Sequence, residues 1–330
     1  MYFQPIMTVN FSDIEAAHQR IKHLIVKTPL LNSPRLDEIA GRKLWIKAEP
    51  LQVTGSFKFR GACSAISALT ADARERGVLA YSSGNHAQGV ALAARLFGTS
   101  ATIVMPHDAP SNKVANTQAL GAEVIRYHRG KESRETIGST VATERRLSLI
   151  KPYDDSMVIA GQGTVGIELA HQITEHDVSA SAVLCCCGGG GLSAGIATAL
   201  AATHPRLSVH TVEPEGFDDT LRSLRLGYRV RNASEQGSIC DAIVTPTPGE
   251  LTFPILKRLA GAGFAVSDQQ VLHAMKLAFD TLKLVTEPGG AVALAAALFG
   301  AHLPDADELL VIASGGNVDG STFRKALAIG

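Results

Sequence analysis

The segment AVLCCCGGGGLSAG, residues 182–195, runs from small apolar residues through three cysteines into four glycines and then into a helix-like stretch. Three readings compete for it: a metal or redox site, a flexible linker, and a turn between a buried strand and a helix. Adjacent strand residues point to opposite faces, so Cys185, Cys186 and Cys187 cannot jointly chelate one ion. No second Cys/His pair stands at zinc spacing. The cysteines therefore read as small, soft filler of a buried strand, with Cys187 the only one expected to approach a ligand. A linker would lie among polar residues, whereas this run lies between an apolar strand and LSAGIATALAA. Gly188, Gly189, Gly190 and Gly191 can turn their N–H groups toward one centre at a helix N-terminus, where an anion is favoured. That describes a phosphate cradle or a tight structural turn. The run lacks the Lys-Ser/Thr ending of a nucleotide P-loop and the spacing of G-x-G-x-x-G.

The 330 residues are 45% apolar and 19% charged, an ordinary globular composition with room for one or two domains. Lys plus Arg equals Asp plus Glu at 31 each, which argues against a nucleic-acid footprint or a polybasic membrane patch. No apolar stretch is long enough to span a bilayer, and no secretory signal opens the chain. Five cysteines, three of them adjacent, do not make a secreted disulfide framework. A cytoplasmic protein is expected. Residues 1–6 read as the remnant of a cleavable tag, so the first domain is counted from Met7.

Outward from the glycines, short apolar runs alternate with longer helical ones. SDIEAAHQRIKHLI opens on Ser12 and Glu15 at capping-box spacing, with Ile14, Ala17, Ile21 and Leu24 at helical spacing. KLWIKAE (43–49), VLAYS (78–82), ATIVM (101–105), EVIRY (123–127), SVHTVEP (208–214) and ELLVIAS (308–314) read as strands. Helices are expected at 85–97, 111–120, 132–147 and 191–203. Such alternation predicts an α/β architecture of parallel sheets covered by helices. Three strand–helix units within 77–154 predict a small sheet of their own, and the remainder a larger one.

TGSFKFRGA, residues 54–62, sets Lys58 among small and aromatic neighbours. In isolation such a lysine is a solvated surface charge. The whole nonapeptide, however, resembles the cofactor-lysine motif of pyridoxal-phosphate enzymes of the serine/threonine dehydratase and serine racemase family. SSGNHAQGVALAA (82–94), VIAGQGTVGIEL (158–169), GGGGLSAG (188–195), VEPEGFDD (212–219) and SGGNVD (314–319) resemble its other segments in order. The resemblance runs from about residue 10 to the end. It implies the α/β pyridoxal-phosphate fold type II, like the β subunit of tryptophan synthase, with two parallel-rich domains. Residues 7–76 and 155–330 would form a large cofactor-binding domain and 77–154 a small mobile one, with pyridoxal 5'-phosphate between them. A homodimer or larger homo-oligomer acting on a small amino acid is also implied.

The resemblance assigns roles residue by residue. Lys58 would hold the cofactor through its amine, be released by the substrate amine, and remove the α-proton. An amine screened from water and near other positive charge has the lowered pKa that both steps need. Phe57 would pack beside the lysine, Asn85 would bond the ring hydroxyl, and the four glycines would cradle the phosphate. Ser314 would meet the pyridine nitrogen, where a neutral hydroxyl makes a weaker electron sink and suits prompt loss of a β-leaving group. Ser82, Ser83, Asn85 and His86 lie where helix-start donors suit an α-carboxylate, a plain N-cap being the alternative for Ser82. Ser83 matches the residue that, in the racemase branch, protonates the face opposite the lysine.

Glu213, Asp219 and the Phe217 carbonyl match a divalent-cation site for Mg2+ or Ca2+, with an acidic surface turn as the alternative. Arg134, in GKESRET (130–136), matches an arginine that meets the distal carboxylate of a dicarboxylic ligand. A solvated helix-start charge is its alternative. TPTPGELTFP (245–254) departs from the racemase pattern and is expected on the substrate side, while KPYDD (151–155) resembles the dehydratases. The expected reaction is β-elimination from a β-hydroxy amino acid, giving a keto acid and ammonia. L-threonine and L-serine are the family's usual substrates, and Arg134 makes 3-hydroxyaspartate a close rival. The alternative is a serine or aspartate racemase.

Overall fold

Two sheets organise the chain. The computed structural model describes residues 9–82, 84–109, 111–234 and 236–329. Met7 and Ser83, both singled out above, lie outside the described residues. The chain runs α1 (Phe11–Ile21), β1 (Leu30–Leu31), α2 (Pro34–Ala40), β2 (Lys43–Ala48), α3 (Lys58–Ser67), α4 (Ala71–Arg76), β3 (Val78–Tyr81) and α5 (Asn85–Leu96). Then come β4 (Ala101–Pro106), α6 (Ser111–Ala119), β5 (Glu123–Tyr127), α7 (Arg134–Arg145), β6 (Ser148–Leu149), α8 (Ser156–Glu175), β7 (Ala182–Cys186) and α9 (Gly191–Thr203). It closes with β8 (Ser208–Pro214), α10 (Asp219–Leu226), α11 (Thr252–Leu259), β9 (Phe264–Val266), α12 (Asp268–Leu282), α13 (Pro288–Phe299), β10 (Glu308–Ala313) and α14 (Gly320–Leu327).

The larger sheet has the order β1-β2-β10-β7-β8-β9 and is parallel except for β1 against β2. The smaller one, β5-β4-β3-β6, is parallel throughout, and its strands all lie between residues 78 and 149. β7 and β10 sit side by side in the middle of the larger sheet and are buried along almost their whole length. Burial on both faces explains why they read as unbroken apolar runs. The pairing sets Cys185 between Ile312 and Thr211. α13, apolar on every side, packs over β7, β8 and β10. Among the described residues no helix is long and apolar enough to cross a membrane.

Two local expectations need correction. The capping box of α1 is made by Asn10 and Asp13, not Ser12 and Glu15: Asn10 Oδ1 accepts from Asp13 N at 3.1 Å and Asp13 Oδ2 from Asn10 N at 2.9 Å. Ser12 Oγ instead donates to Asn10 Oδ1 at 2.6 Å, because the helix starts one residue before it. All five cysteines are free and buried, as strand and core filler should be. Yet Cys186, not Cys187, lines the cleft described below. The strand ends at Cys186, and the Cys187 thiol turns back to lie 3.4 Å from both Thr220 and Ser193.

Candidate active site

A cleft of about 880 Å3 takes its lining from both sheets. It opens at the carboxyl ends of the parallel strands: Tyr81 ends β3, Tyr127 ends β5, Cys186 ends β7 and Ser314 follows β10. This is where α/β sheets bind ligands.

Lys58 is the first residue of α3, and its Nζ donates to Pro152 O at 2.8 Å. Burial lowers its pKa to about 8. Of the two causes expected from the sequence, screening from water produces this shift and neighbouring positive charge does not. The nearby Cys186 and Glu287 pull in the opposite direction, and water exclusion prevails. The Phe57 ring lies 5.1 Å from the ammonium, and Phe57 N donates to Ser314 O at 3.1 Å. Two residues beyond Lys58, Arg60 is fully buried and bonded to Glu49 at 2.8 Å and Glu168 at 2.7 Å. Lys47 completes the cluster on Glu168 at 2.6 Å. Two cations and two carboxylates cancel inside the protein and pin α3 to β2 and α8.

The glycine run is a built cup and not a linker. A side chain on Gly189 would strike the Tyr153 ring. Gly190 has φ +90° and would meet Thr252 Oγ1 at 2.9 Å, so both the backbone conformation and the space require glycine. Thr252 Oγ1 donates to Gly189 O at 2.6 Å, and Gly191 opens α9. Gly188 to Gly191 all line the cleft, with N–H groups available at a thirteen-residue helix start. Backbone closed against any side chain, at a helix N-terminus in the cleft that Lys58 also lines, fits a phosphate-bearing cofactor.

Asn85 begins α5. Its Nδ2 donates to Glu287 Oε1 at 2.5 Å and its Oδ1 accepts from Asn317 Nδ2 at 2.7 Å, which also donates to Thr54 O at 2.8 Å. Burial pushes Glu287 up to about 7. Ser314 is buried and lines the cleft. Ser82 is half-buried and its Oγ accepts from Gly84 N at 3.2 Å; Gly84, not Ser82, is the N-cap of α5. The His86 side chain is held by Ile150 O at 2.9 Å.

Arg134 opens α7 and lines the cleft, its side chain 40% exposed. Nε is bonded to Glu135 Oε1 at 2.7 Å, and the guanidinium lies 5.7 Å from the centre of the Tyr81 ring. No hydrogen bond from its two Nη groups is formed among the described residues.

Glu213 and Asp219 are fully buried, which removes the surface-turn reading. Glu213 accepts from the amides of Thr220 at 2.9 Å and Leu221 at 2.7 Å. Asp219 Oδ1 accepts from Asn232 Nδ2 at 2.6 Å, while its Oδ2 is buried without a partner among the described residues. The Phe217 ring is buried and stands where a side chain on Gly237 would meet it. Among the described residues no group of three His, Cys, Asp or Glu side chains converges on one point.

Sequence reading missed Pro152, Tyr153, Cys186, Glu287 and Asn317. Asn317 lay inside a quoted motif, and Glu287 precedes a proline at a helix start, which is a usable signal.

A water-screened lysine above a glycine cup, at the strand ends of an α/β sheet, defines an enzyme that carries a phosphorylated cofactor. A family model described as pyridoxal-phosphate dependent enzyme matches residues 21–315, and the chain belongs to that family. A serine racemase of Dictyostelium discoideum is 38% identical over 327 residues, 98% of this chain and 99% of that one. An L-threo-3-hydroxyaspartate ammonia-lyase of Saccharomyces cerevisiae is 41% identical over 309 residues, covering 94% and 93%. Among solved structures, a T.th. threonine deaminase superposes with a TM-score of 0.88 at 46% identity, covering 94% of this chain and 99% of that one. The fold is pyridoxal-phosphate fold type II.

Proposed function

We propose that the protein eliminates water from 3-hydroxyaspartate and releases a keto diacid and ammonia. Arg134 carries this reading. Its Nη edge, without a partner among the described residues, shares a cleft with Lys58 and can take a distal carboxylate through two hydrogen bonds. L-threonine and L-serine carry no distal carboxylate for it to bind. The relatives named for hydroxyaspartate support the same choice.

Pyridoxal phosphate, when bound, supplies the electron sink that tolerates negative charge at Cα. The chain's residues do the rest. Gly188 to Gly191 and the start of α9 hold the phosphate, and Asn85 and Ser314 hold the two polar edges of the ring. The first-turn amides of α5 hold the α-carboxylate. Lys58 Nζ, with a pKa near 8, takes the α-proton as a neutral amine. The β-hydroxyl departs as water with the proton that Lys58 took from Cα, and hydrolysis of the product enamine releases ammonia. Residues 77–154 move as one unit to close the cleft. Glu213 and Asp219 hold Mg2+ or Ca2+ through oxygen, a reading supported by the buried Asp219 Oδ2 that lacks a partner among the described residues.

Racemisation is the second reading, supported by Ser83 in the SSGNH motif and by the serine racemase relative. Ser83→Ala separates the two: racemisation collapses, and elimination from an L-substrate survives. The main test measures ammonia and keto-acid release from L-serine, D-serine, L-threonine and the four 3-hydroxyaspartate isomers. A hydroxyaspartate isomer is expected to be fastest. Fast threonine turnover with inert hydroxyaspartates would overturn the assignment.

A further inference from the structure

His86 stands on the first turn of α5 and lines the cleft with Lys58. Its two ring nitrogens differ in their surroundings. Nε2 lies 2.9 Å from Ile150 O, and a carbonyl oxygen only accepts, so Nε2 carries the proton. Nδ1 is buried with no hydrogen-bond partner among the described residues. Burial, reinforced by the Lys58 charge, lowers the ring's pKa to about 3, so the imidazole is neutral. Nδ1 therefore keeps a bare lone pair on a residue that lines the cleft. A substrate carboxylate cannot satisfy it, because two acceptors repel. A donor must.

Lys58 is the donor that the fold brings alongside: a Cβ on Gly89, one turn along α5 from His86, would lie 3.2 Å from Lys58 C, and the two side chains bond Ile150 O and Pro152 O of one segment. Among the described residues its Nζ has one acceptor, Pro152 O at 2.8 Å. A neutral amine has two N–H bonds and one lone pair. A base must keep that lone pair free and pointed at the proton it will take.

We propose that His86 Nδ1 is the second acceptor for Lys58, so that it and Pro152 O hold both N–H bonds of the neutral amine and leave the lone pair for the substrate α-proton. His86 is then a positioning residue that acts through Lys58. Its side chain is not a carboxylate-binding donor. The inference rests on Lys58 being the base, as proposed above, and is independent of which β-hydroxy acid is used. The other ionisable groups that act on Lys58 are Cys186 from the end of β7 and Glu287 from the start of α13. Both stay in place in the variants below.

The test compares His86→Gln, which keeps an amide donor for Ile150 O but removes the Nδ1 acceptor, with His86→Asn, whose Oδ1 restores an acceptor near Nδ1. In the full-length chain freed of cofactor, labelling of Lys58 by trinitrobenzenesulfonate is followed against pH by peptide mass spectrometry. Losing an acceptor destabilises the ammonium, so the labelling midpoint of His86→Gln is expected to fall by about one pH unit. In the holoenzyme, kcat is expected to fall about tenfold with KM little changed. His86→Asn should return both toward wild type. An unchanged midpoint in His86→Gln would show that Nδ1 holds only water, and equal defects in the two variants would show a purely structural role. Either result overturns the inference. Lys58→Ala distinguishes its failure from that of the parent reading: retained turnover there sinks both, whereas lost turnover with a silent His86→Gln sinks only this one.

Discussion

The floor and the wall of the cleft are built on opposite principles. On the floor, Lys58, the glycine cup, Asn85 and Ser314 are buried or nearly so and held by neighbours distant in sequence. The charges beneath them are paired and dry: Arg60, Glu49, Glu168 and Lys47 are each 5% exposed or less. On the wall, Arg134, Glu135, Arg129 and Asp108 form ion pairs with side chains 40% to 65% exposed. Exposed pairs contribute little to stability and rearrange at little cost. Buried charges are costly to break, and their geometry is fixed before substrate arrives. The floor is therefore suited to chemistry that must not vary, and the wall to substrate choice that can.

The strongest way to break this comparison is on the floor. Lys58→Ala should cut turnover by roughly 10^3-fold or more and abolish the visible absorbance of the bound cofactor. Turnover persisting in that variant would move the chemistry elsewhere. Next comes the buried network. Glu168→Gln leaves Arg60 and Lys47 with one carboxylate between them, so chemical denaturation should show a loss of about 3–5 kcal/mol. A loss as small as that of a surface pair would mean that water reaches the cluster.

On the wall the effect should be smaller and selective. Arg134→Leu removes two charge-assisted hydrogen bonds, which should lower kcat/KM for 3-hydroxyaspartate by about 10- to 100-fold. L-serine turnover and thermal stability should hardly change. An equal loss on both substrates would make Arg134 part of the floor.

The same division governs what the sequence revealed. That Lys58, Gly188 to Gly191 and Ser314 share one cleft was legible because each lies in a contiguous motif. The strand list matches to within one residue because buried parallel strands are unbroken apolar runs. β1, β6 and β9 have two or three residues each, too few to show a period. Glu287 was missed because its partner Asn85 is 202 residues away, and no local pattern encodes that bond. Cys186 and Cys187 were exchanged because the strand ends between them, and only the structure shows which way the last thiol turns. The depressed pKa of Lys58 was anticipated in direction and in its main cause, screening from water, while the expected help from positive charge is not what lowers it.

Glu213 and Asp219 obey neither principle, and they offer the finest test of the comparison. They are as buried as the Arg60 network but form no ion pair among the described residues. Burial pushes Asp219 up from 3.8 to about 7, and burial with the charge of Asp219 raises Glu213 well above its ordinary value. Between pH 3.8 and 7 the unfolded chain has lost the Asp219 proton while the folded chain retains it. Stability from this group therefore falls as pH rises through that window. In a chelator, Asp219→Asn should gain on the wild type over the same range. A divalent cation would replace the protons as the compensating charge. Mg2+ or Ca2+ should then raise the wild-type Tm at pH 8 by about 2 °C or more. The gain should shrink at pH 5, where Asp219 keeps its proton, and vanish in Asp219→Asn. A Tm at pH 8 indifferent to both cations would leave the pair as two buried acids that bind no cation, held by the amides of Thr220 and Leu221 and by Asn232.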